Sequence, residues 1–276
     1  MNLMNTARTF ALLSILTGVL LAIGYFAGGQ SGALVALIFS ALINFFSYWY
    51  SDKIVLKMYH AQKVSEKDNP ALHKIVAKLS KDAGIPKPPV YIINSINPNA
   101  FATGRNPKHA AVAVTTGIME LLDIQEIEAV LAHELGHVAN RDTLISTMAA
   151  TLAGAVTWVA QMAFFSSNRE RNAAASLFML IVAPLAASLV RLAISRGREF
   201  GADEYGAKLS QKPLKLASAL QKIDSSVRGR PWNGNPATAH MFIINPLSGS
   251  DVAGLFSTHP STEARVERLK RIESRR

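Results

Sequence analysis

The segment Leu131–Asp142 contains three residues whose types and spacing can do chemistry: His133, Glu134 and His137, in the pattern H-E-x-x-H. On a helix, residues four positions apart lie on one face, so the two imidazoles can reach one metal ion. Glu134 points about a quarter-turn away and can contact a metal-bound water instead of the metal. Two histidine ligands beside a glutamate base are the groups used for metal-assisted hydrolysis at zinc.

An ordinary surface pairing of histidine and glutamate is the alternative interpretation of this pattern. The residues around the motif are apolar, however, and predict a buried helix: Ile127, Val130, Leu131, Leu135 and Val138. Because buried histidines and carboxylates are costly when they lack partners, the pattern favours a metal site.

A third protein ligand must lie outside the motif, because a catalytic zinc usually takes three protein ligands and one water. The metzincin pattern would place glycine at position 140 and histidine at position 143, where this chain has Asn140 and Thr143. A glutamate further along the chain is the other common solution.

Glu199 is the candidate that helix geometry selects. His137 precedes an apolar span that begins at Thr143, which places it roughly 9 Å outside a membrane boundary at about 1.5 Å per residue. The next span returns to the same side near Ser195, and Glu199 lies roughly 6 Å beyond that point. Two antiparallel helices would therefore bring His137 and Glu199 to similar heights, whereas Glu170 lies in the opposite loop.

Asp203 follows Glu199 by one helical turn and lies on the same helix face. It suits a supporting role, in which its carboxylate accepts a hydrogen bond from a ligand imidazole. The alternative is that Glu199 and Asp203 pair with the nearby Arg196 and Arg198.

The composition points to a membrane protein. Of 276 residues, 49% are hydrophobic and 17% are charged, and the mean hydropathy is +0.19. The net charge of +10 then favours contact with an anionic lipid surface over nucleic-acid binding. Because the chain has no cysteine, disulfides and cysteine-ligated zinc are excluded, and one zinc ion would have to be held by histidine and carboxylate.

Apolar stretches of near-membrane length predict about four transmembrane helices in two hairpins. The first hairpin turns at Gly28-Gly29-Gln30, and Asn44 within it is predicted to make a helix–helix hydrogen bond. Lysine and arginine precede the first span and follow the second, so the N-terminus and the active site are predicted to face the cytoplasm. A second hairpin that only partly enters the bilayer is the alternative for residues 143–195. The four apolar stretches are residues 9–28, 31–50, 143–165 and 173–194.

Between the two hairpins, the pattern predicts a helix from Pro70, after a second-span helix that continues to about Asp68, and three short strands. The strands are predicted at Val90–Ile93, Asn99–Gly104 and Ala110–Thr115. One strand either offers an edge along which an extended peptide can pair, or is ordinary sheet structure.

In sum, the sequence predicts a mainly α, α+β integral membrane protein with a small β-sheet. Its predicted parts are an N-terminal transmembrane hairpin, a cytoplasmic segment with the H-E-x-x-H helix, a second hydrophobic hairpin, and a cytoplasmic C-terminal segment with the third ligand. These parts cover residues 1–50, 51–142, 143–195 and 196–276.

Five features in this order resemble the HtpX-type membrane zinc metalloproteases, a family related to the CAAX prenyl protease. They are the early hydrophobic hairpin, N-A-F-A-T-G, H-E-L-G-H-V-A-N-R-D, S-R-x-R-E-F-x-A-D and T-H-P-S-T-E-A-R, and they span nearly the whole chain. The resemblance implies a gluzincin-type fold, zinc held by His133, His137 and Glu199, and a catalytic Glu134. It also implies quality control of membrane proteins under stress and a multi-pass location in the cell (inner) membrane.

Two further residues are candidates with alternatives left open. His259 either donates a hydrogen bond to the oxyanion of the transition state or is a structural residue at a helix start. Asn140 either binds the substrate carbonyl or ends a run of buried polarity. The final helix is predicted to present a basic surface that includes Arg265 and Arg268. Residues 229–258 are predicted to form a long loop.

These features predict an endopeptidase whose substrates are membrane proteins cut in their loops or tails. A processing enzyme for lipidated C-termini and a zinc-binding scaffold without proteolysis are the alternatives. A scaffold, however, has no need of the base Glu134. No nucleotide-binding loop is present in the sequence, so direct use of ATP is not expected.

Overall fold

The computed structural model describes residues 3–147, 196–228, 241–244 and 260–276, and these residues are mainly helical with a small mixed sheet. The helices are α1 (Leu3–Met58), α2 (Pro70–Asp82), α3 (Thr116–Leu121), α4 (Ile124–Ala139), α5 (Arg196–Ser210), α6 (Pro213–Arg228) and α7 (Thr262–Glu273). The strands are β1 (Gln62–Lys63), β2 (Val90–Ile93), β3 (Ala100–Gly104) and β4 (Ala110–Thr115).

The helix α1 is a hairpin of two helical halves, because its backbone leaves helical geometry at Gly28 and Gly29. Gly29 has a φ of 59°, which glycine adopts without strain. The halves approach closely, since a Cβ added to Gly32 would lie 2.1 Å from the carbonyl oxygen of Gly24. The side-chain amide of Asn44 donates to Oγ1 of Thr17 at 3.0 Å, which confirms the predicted helix–helix hydrogen bond.

Among the described residues, the segment Gly28–Met58 is long and apolar enough to cross a membrane. The prediction that this helix continues to about Asp68 is wrong, because it ends at Met58. His60 follows with a φ of 50°, and the chain then enters β1, which pairs with β2. The second predicted hairpin covers residues 143–195, and from residue 148 onward it lies outside the described residues. The presence of four membrane spans therefore stays a prediction.

The sheet has the order β1-β2-β4-β3, in which β2 and β4 are parallel and β3 is antiparallel to β4. The two predicted strands Val90–Ile93 and Ala110–Thr115 are confirmed, and the third begins at Ala100. The strand β3 is an edge strand, so one row of its backbone groups faces away from the sheet.

One face of the sheet packs against α2, α4 and α6, and this side holds the main core. Asp123 caps α4 through a capping box with Glu126, which stabilises the start of the helix. Glu128 on the same helix is 8% exposed and pairs with Lys78 of α2 and with Lys212 before α6. These pairs tie α4 to its neighbours on both sides.

The opposite face of the sheet is covered by the end of α1. Val55 and Leu56 pack in one cluster with Phe101 of β3 and with two alanines of β4. The ring of Tyr59 lies 5.2 Å from that of Phe101. The C-terminal end of α1 is therefore packed together with the sheet in one body.

We predict that Gly32→Ala destabilises the hairpin by roughly 1–3 kcal/mol, because the added methyl group meets the backbone of Gly24. Gly18→Ala is the matched control, since nothing lies within 4 Å of a Cβ at that position. Unfolding by SDS in mixed micelles measures both free energies. Equal stability of the two variants would contradict the close approach of the helical halves.

Candidate metal centre

The helix α4 carries His133, Glu134 and His137 and lies against α5, its most extensive partner among the described elements. The two helices can approach closely because Gly206 of α5 has no side chain: a Cβ there would lie 2.7 Å from the backbone nitrogen of His133. His133 and Glu134 are buried, and 17% of the His137 side chain is exposed. The close packing brings Glu199 of α5 over the motif.

The ligand atoms of His133, His137 and Glu199 all lie within 4.8 Å of one another. Oε1 of Glu199 is 3.6 Å from Nε2 of His137, and Oε2 is 3.9 Å from Nε2 of His133. Two ligands bound at about 2.0–2.2 Å to one tetrahedral zinc ion lie about 3.3–3.6 Å apart. The two distances between Glu199 and the histidines are close to this spacing, so the donor types and positions suit a single metal ion.

Asp203 supports the ring of His133 from behind. Its Oδ1 lies 3.0 Å from Nδ1 of His133, while Nε2 of the same ring faces Glu199. A carboxylate at Nδ1 sets the tautomer and the orientation of a metal-binding imidazole. Asp142 stands in the same relation to His137, with 3.5 Å between Oδ2 and Nδ1.

Arg265 of α7 holds Asp203, and both side chains are fully buried. Its Nε and Nη2 donate to Oδ2 and Oδ1 of Asp203 at 2.8 and 2.7 Å. Its Nη1 donates to the carbonyl of Ile243 at 2.9 Å and lies 3.7 Å from Oε2 of Glu199. One guanidinium thus contacts two of the acids on α5.

The prediction that Arg265 belongs to a basic surface is wrong for this residue. Arg265 lies on the buried face of α7 together with Thr262, Val266 and Leu269. These positions follow the three- and four-residue spacing of one helix face. That spacing was the signal in the sequence for a buried arginine, whose partner must be an acid.

Glu134 is anchored by the sheet. Its Oε2 accepts a hydrogen bond of 3.0 Å from the backbone N–H of Ala102 in β3. The other oxygen, Oε1, lies 4.0 Å from Nε2 of His133. One oxygen is thus fixed on the edge strand while the other faces the histidine cluster.

Burial raises the pKa of Glu134 above its usual range, against the lowering effect of the two histidines. Burial would also raise the pKa of Asp203, but the charge of Arg265 and the His133 ring hold it at about 2. Burial lowers the pKa of His137, yet Asp142, Glu199 and Glu134 raise it to about 9. The carboxylates around His137 therefore favour positive charge, which a proton or a metal ion can supply.

The other two predicted site residues have different fates. Asn140 is exposed and forms the C-terminal cap of α4, where its backbone N–H donates to the carbonyl of Gly136. His259 lies outside the described residues, so both of its roles stay predictions. Of the predicted loop 229–258, the structure describes Met241–Ile244, which is buried.

Comparison with known proteins gives one family match, to peptidase family M48, over residues 66–273. A protease HtpX homolog of Pyrococcus furiosus is 54% identical over 274 residues, covering 96% of this chain and 95% of that protein. The homolog of Persephonella marina is 49% identical and covers 99% of both chains. The homolog of Ralstonia nicotianae is 51% identical and covers 96% of both.

Among solved structures, the crystal structure of S. mikatae Ste24p has a similar fold, with a TM-score of 0.53 and 17% sequence identity. The match covers 96% of this chain and 65% of that one. At this identity the likeness concerns the fold alone.

We predict that Arg265→Lys weakens zinc binding roughly 10–100-fold, because a lysine cannot make the two parallel hydrogen bonds that hold Asp203 behind His133. Chelator competition measures the affinity, and near-ultraviolet circular dichroism checks that the variant is folded. Arg268→Lys is the matched control, since Arg268 lies on the same helix but is exposed and contacts Glu204. Equal affinities of the two variants would show that the buried arginine does not support the ligands.

Proposed function

The chain belongs to peptidase family M48, and on that premise we propose that it is a zinc-dependent endopeptidase which cleaves misfolded or damaged membrane proteins. Membership makes it a membrane-associated metalloprotease, a hydrolase of peptide bonds. The metal, the catalytic residues, the substrates and the orientation are parts of the proposal. The observation that carries it is the convergence of His133, His137 and Glu199 around Glu134.

We assign the metal site to His133, His137 and Glu199. Two imidazoles and one carboxylate suit zinc and leave a position open for water or substrate. A zinc ion bound there would polarise the scissile carbonyl and lower the pKa of a water. Asp203 and Asp142 would each hold one imidazole in the tautomer that presents Nε2 to the ion.

Glu134 is the proposed general base. It takes the proton of the attacking water and delivers it to the leaving amine. The burial that raises its pKa suits a group that must both accept and release a proton near neutral pH. The hydrogen bond from Ala102 keeps the carboxylate beside the cluster without using its second oxygen.

The edge strand β3 is the proposed docking site for the substrate backbone. An extended peptide that adds to a sheet edge gains main-chain hydrogen bonds whatever its side chains. Such pairing suits a protease that must accept many misfolded chains. Because Ala102 of β3 contacts Glu134, a peptide along this edge would pass the base.

The proposed location is a multi-pass position in the cell membrane with the active site in the cytoplasm. The apolar α1 hairpin supports insertion, and Lys53 and Lys57 near its C-terminal end support this orientation. These two lysines also suit contact with anionic lipid. With the site on that side, cytoplasmic loops and tails of membrane proteins are the substrates within reach.

We predict that Glu134→Gln keeps bound zinc and lowers the rate of casein cleavage at least ~100-fold, because glutamine cannot accept the proton. Metal analysis and cleavage by detergent-purified protein measure the two quantities. Glu120→Gln, an exposed glutamate on α3, is the control and should match the wild type. Loss of zinc together with activity would contradict the role of Glu134 as a base that is not a ligand.

A zinc-loaded wild-type protein that cleaves no casein would contradict a broad endopeptidase activity and favour one of the two alternatives, a processing enzyme or a scaffold. A processing enzyme would still cleave a narrow set of C-terminal peptides. A scaffold would cleave neither casein nor those peptides.

A further inference from the structure

Large apolar side chains are exposed along the second half of α1 from Leu34 to Tyr50. Beyond Tyr50, Val55 and Leu56 are 0% and 6% exposed, and an exposed large apolar side chain returns at the helix end with Met58. A hydrocarbon core of about 30 Å takes about 20 residues of helix, which from Gly29 ends near Trp49. Trp49 and Tyr50 therefore mark the membrane interface, as aromatic residues commonly do.

Arg105 links this interface to the sheet. It lies in the turn between β3 and β4, and its Nη1 donates to the backbone carbonyl of Trp49 at 3.1 Å. Its guanidinium carbon also lies 4.5 Å from the centroid of the Trp49 ring, a distance typical of a cation–π contact. The β3–β4 turn is thus attached to α1 at the level of the interfacial aromatic residues.

The edge strand runs from this turn directly to the catalytic carboxylate. Ala102, whose N–H binds Glu134, precedes Arg105 by three residues, which at about 3.3 Å per residue gives at most about 10 Å. A tilted strand would bring Glu134 still closer to the interface. The height of the base above Trp49 therefore has an upper limit of about 23 Å, which comprises this strand, about 7 Å of extended arginine side chain and the two hydrogen bonds of 3.1 and 3.0 Å at the ends.

Packing joins the end of α1 to the sheet at a second place. The end of α1 and the outer face of the sheet form one cluster, which includes Val55 and Phe101. Tyr59 contacts both Phe101 and Phe242 through its ring. These contacts lie beyond the interfacial aromatic residues, so the contact of Arg105 is the one that holds the β3–β4 turn at the level of Trp49.

We propose that the contact between Arg105 and Trp49 sets the height of the proteolytic site, so that the enzyme selects peptide bonds within about seven residues of the point where a substrate leaves the bilayer. The preferred substrate is then the juxtamembrane segment of a membrane protein, rather than a distant loop or a soluble chain. Arg105 acts as a positioning residue and does not touch the reacting atoms. The inference rests on the proposed function, because it requires Glu134 to act in cleavage.

The test uses the full chain in lipid nanodiscs with single-span reporter proteins in the same discs. Each reporter carries one casein segment that the enzyme cleaves, placed about 4, 8 or 16 residues beyond the span. We expect the wild type to cleave the four-residue reporter ~fivefold or more faster than the sixteen-residue reporter, because a longer tether lowers the local concentration of the segment at the site. Cleavage of free casein is measured in parallel.

Arg105→Ala should flatten this dependence on spacing while casein cleavage stays unchanged. Lys108→Ala is the matched control: it removes a positive charge from the same turn, where Lys108 is exposed, and should keep the wild-type profile. If Arg105→Ala also loses casein cleavage, Trp49→Leu gives the decisive profile, since it removes the ring and leaves Arg105 in place. That variant should flatten the profile in the same way.

The possible failures are distinguishable. A flat wild-type profile with normal casein cleavage would overturn the inference and leave the proposed function standing. A steep profile that Arg105→Ala and Trp49→Leu both leave unchanged would overturn the role of their contact. A zinc-loaded protein that cleaves neither casein nor any reporter would overturn the proposed function itself.

Discussion

The buried ion pair between Arg265 and Asp203 is the interaction on which the candidate site depends. Both side chains are inaccessible to solvent, so each charge would be costly to bury without the other. Through Asp203 the pair reaches Nδ1 of His133, and through Nη1 it reaches Glu199 and the carbonyl of Ile243. Four parts of the chain, namely α4, α5, α7 and the segment at Ile243, are thereby joined around the candidate site. A substitution of Arg265 on α7 is therefore expected to alter the position of the His133 ring on α4.

The sheet contributes the other constraint, because β3 lies between α1 and α4. Phe101 of this strand packs on the end of α1, while the next residue, Ala102, donates to Glu134. The side chain of Phe101 points to one face of the sheet and the N–H of Ala102 points out from its free edge, so one short strand contacts both partners. The position of Glu134 relative to α1 follows from this arrangement, and the proposed choice of substrate rests on it.

The sequence predicted the helix α4 and three of the four described strands, one of them with its start one residue early, because H-E-x-x-H and short apolar runs are local signals. Glu199 was selected from the length of the spans around it, and the structure places it 3.6 Å from His137. Arg265 and Asp142 were missed. The partners of Arg265 lie 62 residues away in sequence at Asp203, and a local pattern does not reveal such pairs. Because α7 is rich in basic residues, Arg265 was predicted to be exposed, although it lies on the buried face of the helix.

Zinc K-edge X-ray absorption on the detergent-purified, zinc-loaded protein would identify the ligands of the metal. We expect two imidazole nitrogens from His133 and His137, one carboxylate from Glu199, and no sulfur, at about 2.0–2.2 Å. Replacing His137 by alanine should remove one imidazole from the spectrum of any zinc that remains bound. A wild-type spectrum with three or more imidazoles would rule out this ligand set, because another histidine would then hold the position assigned to Glu199 or to the water.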